Sequence, residues 1–269
     1  MRGDADTDLV RLRSAIAEHA HLYVGFSGGA DSSFLAAVAH EVLGADRVTA
    51  VTAVSPSLPE SERDECRALA AEWGLTHLEV ETDEMEQAAY RRNDGDRCFW
   101  CKDALMRAVG PMAAEAGATV ALGVNLDDLG DHRPGQRAAT GAGAVFPLVD
   151  AGYTKDMVRT ASRQLGLRTW DKPAAACLAS RIPYGTSVSV AVLSRVERAE
   201  AALRHLGFGA LRVRHYDDTA RIEVPLDDLG VMIERRDDVV TAVRAAGYRY
   251  VTLDLEGLRS GNLNAALEQ

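Results

Sequence analysis

A glycine- and serine-rich stretch, SGGADSS at positions 27–33, has the residue types and spacing for binding phosphate. Glycines let the backbone fold tightly and direct several N–H groups at one anion. The start of a following helix adds its positive dipole end, and serine hydroxyls donate to phosphate oxygens. A glycine-rich turn that only caps a helix is the alternative. The candidate nucleotide-binding residues are Ser27, Gly28, Gly29, Asp31, Ser32 and Ser33.

An acidic side chain inside an anion-binding loop is repulsive unless a cation lies between the charges. Asp31 therefore predicts a bound Mg²⁺ at this loop. Three further aspartates, Asp127, Asp128 and Asp131, are candidates to bind Mg²⁺ or to cap turns, and Glu223 is a weaker candidate. The loop lacks the lysine of the GxxxxGK[ST] motif, so it belongs to a different phosphate-binding class.

Cys98 and Cys101 form a CxxC pair, in which two thiolates can hold one metal ion or act as a redox couple. The pair alone is a weak signal, because zinc needs two further ligands at matching spacing and the seven histidines offer none. A structural or incidental pair is the alternative. Trp100, between the two, is a candidate to stack on an aromatic ligand, although packing is the commoner role.

A third cysteine, Cys177, lies among alanines in the segment DKPAAACLASRIPYGT at 171–186. Small neighbours leave room for a ligand, and the nearby Arg181 favours the reactive thiolate. Alone, this cysteine would be read as a small buried hydrophobe. Cys66 lies in the helical pattern ERDECRALAAEWG and is interpreted as a core residue.

The composition describes a globular chain of 269 residues with 47% hydrophobic and 26% charged residues. Thirty basic and 40 acidic residues give a net charge of −10, which argues against a nucleic-acid partner. No apolar run approaches the ~20 residues that span a bilayer, and the N-terminus is acidic. We therefore expect a cytoplasmic protein with reduced cysteines and no membrane partner.

The elements that must position these residues alternate between strand and helix. Apolar strands at 22–26, 48–54, 77–81 and 119–124 are separated by helical patterns, some closed by glycine. This alternation predicts the α/β class, with a doubly wound parallel sheet. A long polar stretch after residue 124 is expected to be a functional or mobile loop.

From about residue 187 the pattern changes to a helix, two short strands, another helix at 231–246 and a last strand. We expect two domains, residues 1–186 and 187–269, the second a small α+β unit. Arg212 and Arg214 alternate on one strand and are candidates to bind a substrate phosphate. The alternative is a solvated sheet face.

The SGGADS loop after the first strand resembles the PP-loop ATPases, also called N-type ATP pyrophosphatases. Members of this superfamily cleave ATP between the α- and β-phosphates and activate a substrate oxygen as its adenylate. The resemblance implies ATP as cosubstrate and leaves the second substrate open.

Six further segments resemble the LarE sulfur transferases in chain order, and the similarity covers essentially the whole chain. LarE proteins use ATP to convert carboxylates of pyridinium-3,5-biscarboxylic acid mononucleotide to thiocarboxylates for the nickel-pincer nucleotide of lactate racemase. The LRVR and LEGLRSGNLN segments favour a phosphate-binding role for Arg212, Arg214 and Arg259, and a homo-oligomer is expected. The six segments are DGDRCFWCK, GVNLDDLGDHRPGQRAA, residues 154–166, TWDKPAAACLASRIPYG, LRVRHYDDTARIEV and LDLEGLRSGNLN.

The sulfur source divides the family into two types. One type has a single cysteine, at the place matching Cys177, and sacrifices its sulfur to become dehydroalanine. The other type adds a CxxC pair, and its three thiolates hold a [4Fe–4S] cluster with one open iron. The presence of Cys98, Cys101 and Cys177 therefore favours the cluster type.

Three other functions are compatible with a nucleotide loop. Some tRNA-thiolating enzymes combine such a loop with three cysteines, but the negative charge opposes a large RNA footprint. An amide-forming synthetase would use ammonia and would not need the cysteines. A non-catalytic ATP-binding module would need neither the ACLASR segment nor the arginine-bearing small domain.

Overall fold

A computed structural model describes residues 2–130, 134–173 and 176–259 of the chain. In chain order the strands are β1 Leu22–Gly25, β2 Val48–Val54, β3 Thr76–Glu81, β4 Thr119–Leu122, β5 Arg212–Tyr216, β6 Thr219–Glu223 and β7 Tyr250–Leu253. The α-helices are α1 Arg2–Ala17, α2 Ala30–Leu43, α3 Glu60–Glu72, α4 Ala88–Arg92, α5 Arg97–Glu115, α6 Pro134–Gly141, α7 Pro147–Asp150, α8 Lys155–Gln164, α9 Val190–His205, α10 Leu229–Glu234 and α11 Arg236–Ala245. Short 3₁₀ turns are Ala45–Arg47, Glu84–Glu86, Leu126–Gly130, Leu178–Arg181 and Leu226–Asp228.

The chain divides into two compact units. The larger contains Met1–Glu84 and Asp96–Ala175, and the smaller contains Met85–Gly95 and Ala176–Gln269. This division differs from the expected boundary after residue 186, because hydrogen bonds join the 85–95 segment to the loop that follows Cys177.

The larger unit is built on a four-stranded parallel sheet in the order β3-β2-β1-β4. Leu22 and Val24 of β1 are fully buried, as expected for a central strand of a parallel sheet covered on both faces. The more polar β3 lies at an edge of the sheet. The architecture confirms the predicted α/β class.

The core of this unit contains Phe34 and Leu35 of α2, which are fully buried together with Leu148 of α7. The predicted N-cap of α8 is confirmed, since the Thr154 hydroxyl accepts from the Met157 N–H at 3.3 Å. Within the described residues, no helix has both the length and the apolar character needed to cross a membrane.

The polar stretch after residue 124 was expected to be a loop throughout, and this expectation was wrong in part. The described portion contains a 3₁₀ turn at Leu126–Gly130 and the helix α6. Pro134 at the first position of α6 suits a helix start, and the two alanines that follow favour helix. Gly135 allows α6 to approach α5 closely, because a Cβ there would lie 2.7 Å from the Cys98 carbonyl oxygen.

The smaller unit has a three-stranded sheet in which β6 pairs antiparallel with β5 and parallel with β7. Its apolar core includes Leu203 of α9, Val213 of β5 and Val243 of α11. The helix expected at 231–246 is two helices, α10 and α11, which meet at Arg235. This arrangement confirms the predicted α+β elements.

Candidate functional site

The candidate nucleotide site lies at the point where the strand order of the parallel sheet reverses. β1 pairs with β2 on one side and with β4 on the other, so the chain runs outward from β1 to β3 and then returns to the opposite side of β1. In open α/β sheets, ligands bind in the crevice outside the carboxyl ends of such strands. The SGGADSS loop follows β1 at this crevice.

The loop has the tight backbone that its glycines predict. Gly28 has a φ of +66°, a backbone conformation that glycine adopts easily and that is unfavourable for most other residues. Gly29 is the N-cap of α2, and the Ser32 hydroxyl donates to its carbonyl at 3.2 Å. The Ser27 N–H donates to Ser32 Oγ, also at 3.2 Å. Ser33 is fully buried, so its side chain faces the core, while Ser27 is exposed.

A second glycine-dependent contact joins this loop to the end of β4. A Cβ at Gly123 would lie 2.9 Å from the Ser32 backbone nitrogen and 3.0 Å from the Asp31 carbonyl carbon. Only glycine permits this approach, because both neighbours are backbone atoms. The sequence interpretation did not single out Gly123, although its place directly after a strand was visible.

Asp31 is held by two groups from other parts of the larger unit. The Lys155 ammonium lies 3.3 Å from Asp31 Oδ2, and the Asn125 amide donates to Asp31 Oδ1 at 3.2 Å. Asn125 is fully buried. The cation that the acidic loop residue requires is therefore supplied at least in part by Lys155, which the sequence interpretation missed. A bound Mg²⁺ at Asp31 stays a prediction.

A second lysine lies beside the loop. Lys172 donates to Glu62 at 2.8 Å, and its ammonium would lie 3.6 Å from a Cβ at Gly28. The sequence contains 30 basic residues but only three lysines, Lys102, Lys155 and Lys172. Two of the three lie at this loop. Lysine is a compact point charge suited to phosphate, whereas arginine favours planar pairing. This composition was the signal that could have revealed both residues.

Cys66 is fully buried, and its sulfur would lie 3.2 Å from a Cβ at Gly28. Burial raises the pKa of the Cys66 thiol to about 11, so it packs as a neutral group. The interpretation of Cys66 as a core residue is confirmed.

The aspartates after β4 cap backbone groups. Asp128 accepts from the Asn125 N–H at 3.1 Å, and Asp127 accepts from the Lys155 N–H at 2.7 Å. These bonds hold Lys155 and Asn125 in place. A Mg²⁺ role for Asp128 stays a prediction, and Asp131 lies outside the described residues.

The CxxC pair lies near the start of α5, and residues three apart on a helix share one face. Cys98 is exposed and Cys101 is half-buried, and neither forms a disulfide. The Trp100 indole N–H donates a hydrogen bond to Asp96 at 2.9 Å, and its ring packs edge-on against Phe99 with the ring centres 5.2 Å apart.

Cys177 of the smaller unit precedes the 3₁₀ turn Leu178–Arg181 and is half-buried. Arg181 is buried and donates to the carbonyl oxygens of Ala176 at 2.6 Å and Cys177 at 3.3 Å. Its guanidinium also pairs with the fully buried Glu200 at 2.8 Å. Arg181 therefore fixes the backbone that carries the sulfur. Glu200 was not found by sequence reasoning.

Glu200 is shared among several donors. Besides Arg181, it accepts from Arg204 at 2.9 Å and from the Val213 N–H at 3.0 Å. A buried carboxylate paired with two cations and a backbone donor is compensated, whereas removal of one partner is strongly destabilising. It connects the turn after Cys177 to the strand β5.

A second buried pair supports the same turn. Arg214 donates to both oxygens of Glu223, at 3.0 and 2.8 Å, and to the Ser180 carbonyl at 2.7 Å. Glu223 also accepts from Arg221 at 3.2 Å. The Arg214 charge is thus balanced within the protein. Phosphate binding by Arg214 and Mg²⁺ binding by Glu223 stay predictions.

Arg212 is the arginine of this group best suited to bind an anion. It donates to the Arg259 carbonyl at 3.2 Å and has no salt bridge to a carboxylate in the described parts of the chain. Burial, with the positive charges of Arg181 and Arg214, lowers the pKa of the Arg212 guanidinium. An anion would relieve this repulsion. Arg259 forms an exposed salt bridge with Glu256.

Among residues 2–130, 134–173 and 176–259, no group of three or more His, Cys, Asp or Glu side chains is arranged to hold a metal ion. The CxxC pair belongs to the larger unit and Cys177 to the smaller. A shared cluster on Cys98, Cys101 and Cys177 stays a prediction.

Comparisons with known proteins show which families this chain resembles. The NAD synthase family model matches residues 7–103, which include the loop and the first three strands. With the parallel sheet, this match defines a PP-loop ATP pyrophosphatase domain.

Relatives over the full length identify the family more narrowly. Pyridinium-3,5-bisthiocarboxylic acid mononucleotide synthase of Lactiplantibacillus plantarum is 37% identical over 97% of this chain and 95% of its own. An uncharacterized protein of Synechocystis is 42% identical over 97% of this chain and 98% of its own. The chain belongs to the LarE family and is an ATP-dependent sulfur transferase.

Gly123→Ala should weaken ATP binding about tenfold or more, since the methyl group would displace the start of α2. Isothermal titration with an ATP analogue carrying a methylene bridge between the α- and β-phosphates measures this. Gly110→Ala is the matched control, because a Cβ there meets nothing within 4 Å. Unchanged affinity in Gly123→Ala would contradict the close-approach argument.

Lys155→Arg should slow pyrophosphate release about 100-fold, because the bulkier planar guanidinium cannot reproduce a point charge beside Asp31. The rate is measured with saturating ATP and the substrate proposed below. Arg13→Lys, at an exposed salt bridge, is the control for a basic exchange. A rate within twofold of the unsubstituted protein would contradict the requirement for a compact point charge beside Asp31.

Proposed function

We propose that this chain adenylylates the carboxylates of pyridinium-3,5-biscarboxylic acid mononucleotide and converts them to thiocarboxylates. A substrate carboxylate oxygen attacks the α-phosphorus of ATP, the bond to the β-phosphate breaks, and pyrophosphate leaves. A sulfur nucleophile then attacks the acyl carbon, and the bond to AMP breaks. The product is a thiocarboxylate, with AMP as the second leaving group.

One observation supports the adenylylation step: the SGGADSS loop lies where the strand order of the parallel sheet reverses, and Lys155 lies beside it. Backbone N–H groups, the α2 dipole and Lys155 converge on one place, where they can stabilise negative charge on ATP phosphates. Mg²⁺ bound at Asp31 would add to that charge neutralisation. The cosubstrate ATP is consistent with a cytoplasmic location.

Substrate binding is assigned to the arginines of the smaller unit. Arg212 is partly desolvated and lacks a carboxylate partner within the described residues, so the substrate phosphate is its natural counterion. Arg259 can be released from its exposed salt bridge, because such pairs contribute only about 0–1 kcal/mol. Arg214, paired with Glu223, positions the turn Leu178–Arg181 through its bond to the Ser180 carbonyl.

The sulfur source has two candidates. With Cys98, Cys101 and Cys177 we favour the type in which three thiolates hold a [4Fe–4S] cluster, whose open iron would supply a sulfide. The alternative is Cys177 itself: its thiolate attacks the acyl carbon to give a thioester. Loss of the α-proton and cleavage of the Cβ–S bond then release the thiocarboxylate and leave dehydroalanine.

Pyrophosphate release should depend on the pyridinium dicarboxylate mononucleotide and should be absent with tRNA or with ammonia and a carboxylic acid. The three reactions are compared at equal ATP in one coupled phosphate assay. If release requires tRNA or ammonia, the proposed substrate is wrong. If none of the three substrates causes pyrophosphate release, a non-catalytic nucleotide-binding module is favoured.

Anaerobically purified protein should contain iron and acid-labile sulfide, and Cys177 should be intact after turnover. Elemental analysis and mass spectrometry of the Cys177 peptide measure both. Cys66→Ser, outside the proposed thiolate set, should retain the iron. Colourless protein in which Cys177 has lost the mass of H₂S would instead support the sacrificial route.

A further inference from the structure

Asn93 lies in the segment 85–95, which belongs to the smaller unit and has no role in the sulfur-transfer steps proposed above. The chain enters the smaller unit at Met85 and leaves it at Gly95, just before the helix that carries the CxxC pair. Within this insertion, Asn93 is the C-cap of α4, has a φ of 59° and is fully buried. Asparagine tolerates this left-handed conformation better than most residues.

The Asn93 side chain binds the loop that follows Cys177. Its amide nitrogen lies 2.8 Å from the Pro183 carbonyl oxygen, 2.9 Å from that of Thr186 and 3.3 Å from that of Ile182. The Asn93 carbonyl accepts from the Gly185 N–H at 3.2 Å. One side chain and its own backbone therefore fix most of this loop.

The turn that bears Cys177 is consequently held from two directions. Arg181, anchored by Glu200, binds the carbonyls of Ala176 and Cys177. Asn93 binds the segment immediately after it. Buried carbonyl groups that lose such donors remain unsatisfied, so the loop would rearrange rather than stay in place.

We propose that Asn93 is a positioning residue for sulfur delivery, which fixes the loop that follows the Cys177 turn. This inference rests on the proposed function, since sulfur transfer is the step it serves. The nucleotide loop and Lys155 belong to the larger unit, so we expect adenylylation to be independent of Asn93.

Asn93→Gly tests this inference without straining the backbone, because glycine adopts the same φ. Pyrophosphate release should stay within about twofold, whereas thiocarboxylate formed per AMP should fall about tenfold or more, given the steep cost of misplaced reacting groups. Alkylation of Cys177 by iodoacetamide, followed by peptide mass spectrometry, should accelerate severalfold. Arg92→Ala, at an exposed neighbouring position, should leave all three values unchanged.

Asn93→Asp is the second variant, because it keeps the shape and the backbone tolerance but removes the donors. It should show the same split between adenylylation and sulfur transfer. Equal loss of both steps in both variants, or loss of neither, would overturn the inference. If the unsubstituted protein releases no pyrophosphate with the mononucleotide, the proposed function fails instead. The alkylation rates then still decide the role of Asn93.

Discussion

The close backbone approach between the end of β4 and the start of α2 is the constraint on which the nucleotide site depends. Gly123 lies so near Ser32 and Asp31 that no side chain fits there. This contact brings the polar segment after β4 to the loop after β1. Asn125 and Lys155 consequently reach the Asp31 carboxylate. The sheet order supplies the crevice, and the glycine contact makes it a site with a defined charge.

In the smaller unit, the Cys177 sulfur lies on a turn with little regular structure, and buried ion pairs position that turn. Two buried carboxylates, Glu200 and Glu223, each pair with two arginines. Through Arg181 and Arg214 they bind carbonyl groups of the turn around Cys177. Buried ion pairs add little net stability because desolvation offsets their attraction. Their value here is geometric, since they fix where the turn lies.

Sequence patterns were sufficient for the elements that depend on local chemistry. The strands, the glycine-bounded helices and the Thr154 cap follow from hydrophobic period and capping, and the SGGADSS loop follows from its glycines and serines. Lys155 and Gly123 were missed because their roles exist only after the sheet brings β4 beside β1. Glu200 was hidden for a similar reason: in sequence it is one acid on a charged helix, and only burial reveals its pairing. The domain boundary expected from sequence placed the 85–95 segment in the first domain, because no local pattern indicates the hydrogen bonds that Asn93 makes with residues about 90 positions away.

The central claim, attack of a substrate carboxylate on the α-phosphorus of ATP, is tested most directly by following the carboxylate oxygen. Substrate labelled with ¹⁸O in its carboxylates is converted in a single turnover, and AMP and pyrophosphate are analysed by mass spectrometry. Formation of an acyl adenylate followed by sulfur attack on the acyl carbon predicts AMP with one heavy oxygen and unlabelled pyrophosphate. Unlabelled AMP formed together with the thiocarboxylate would contradict the account.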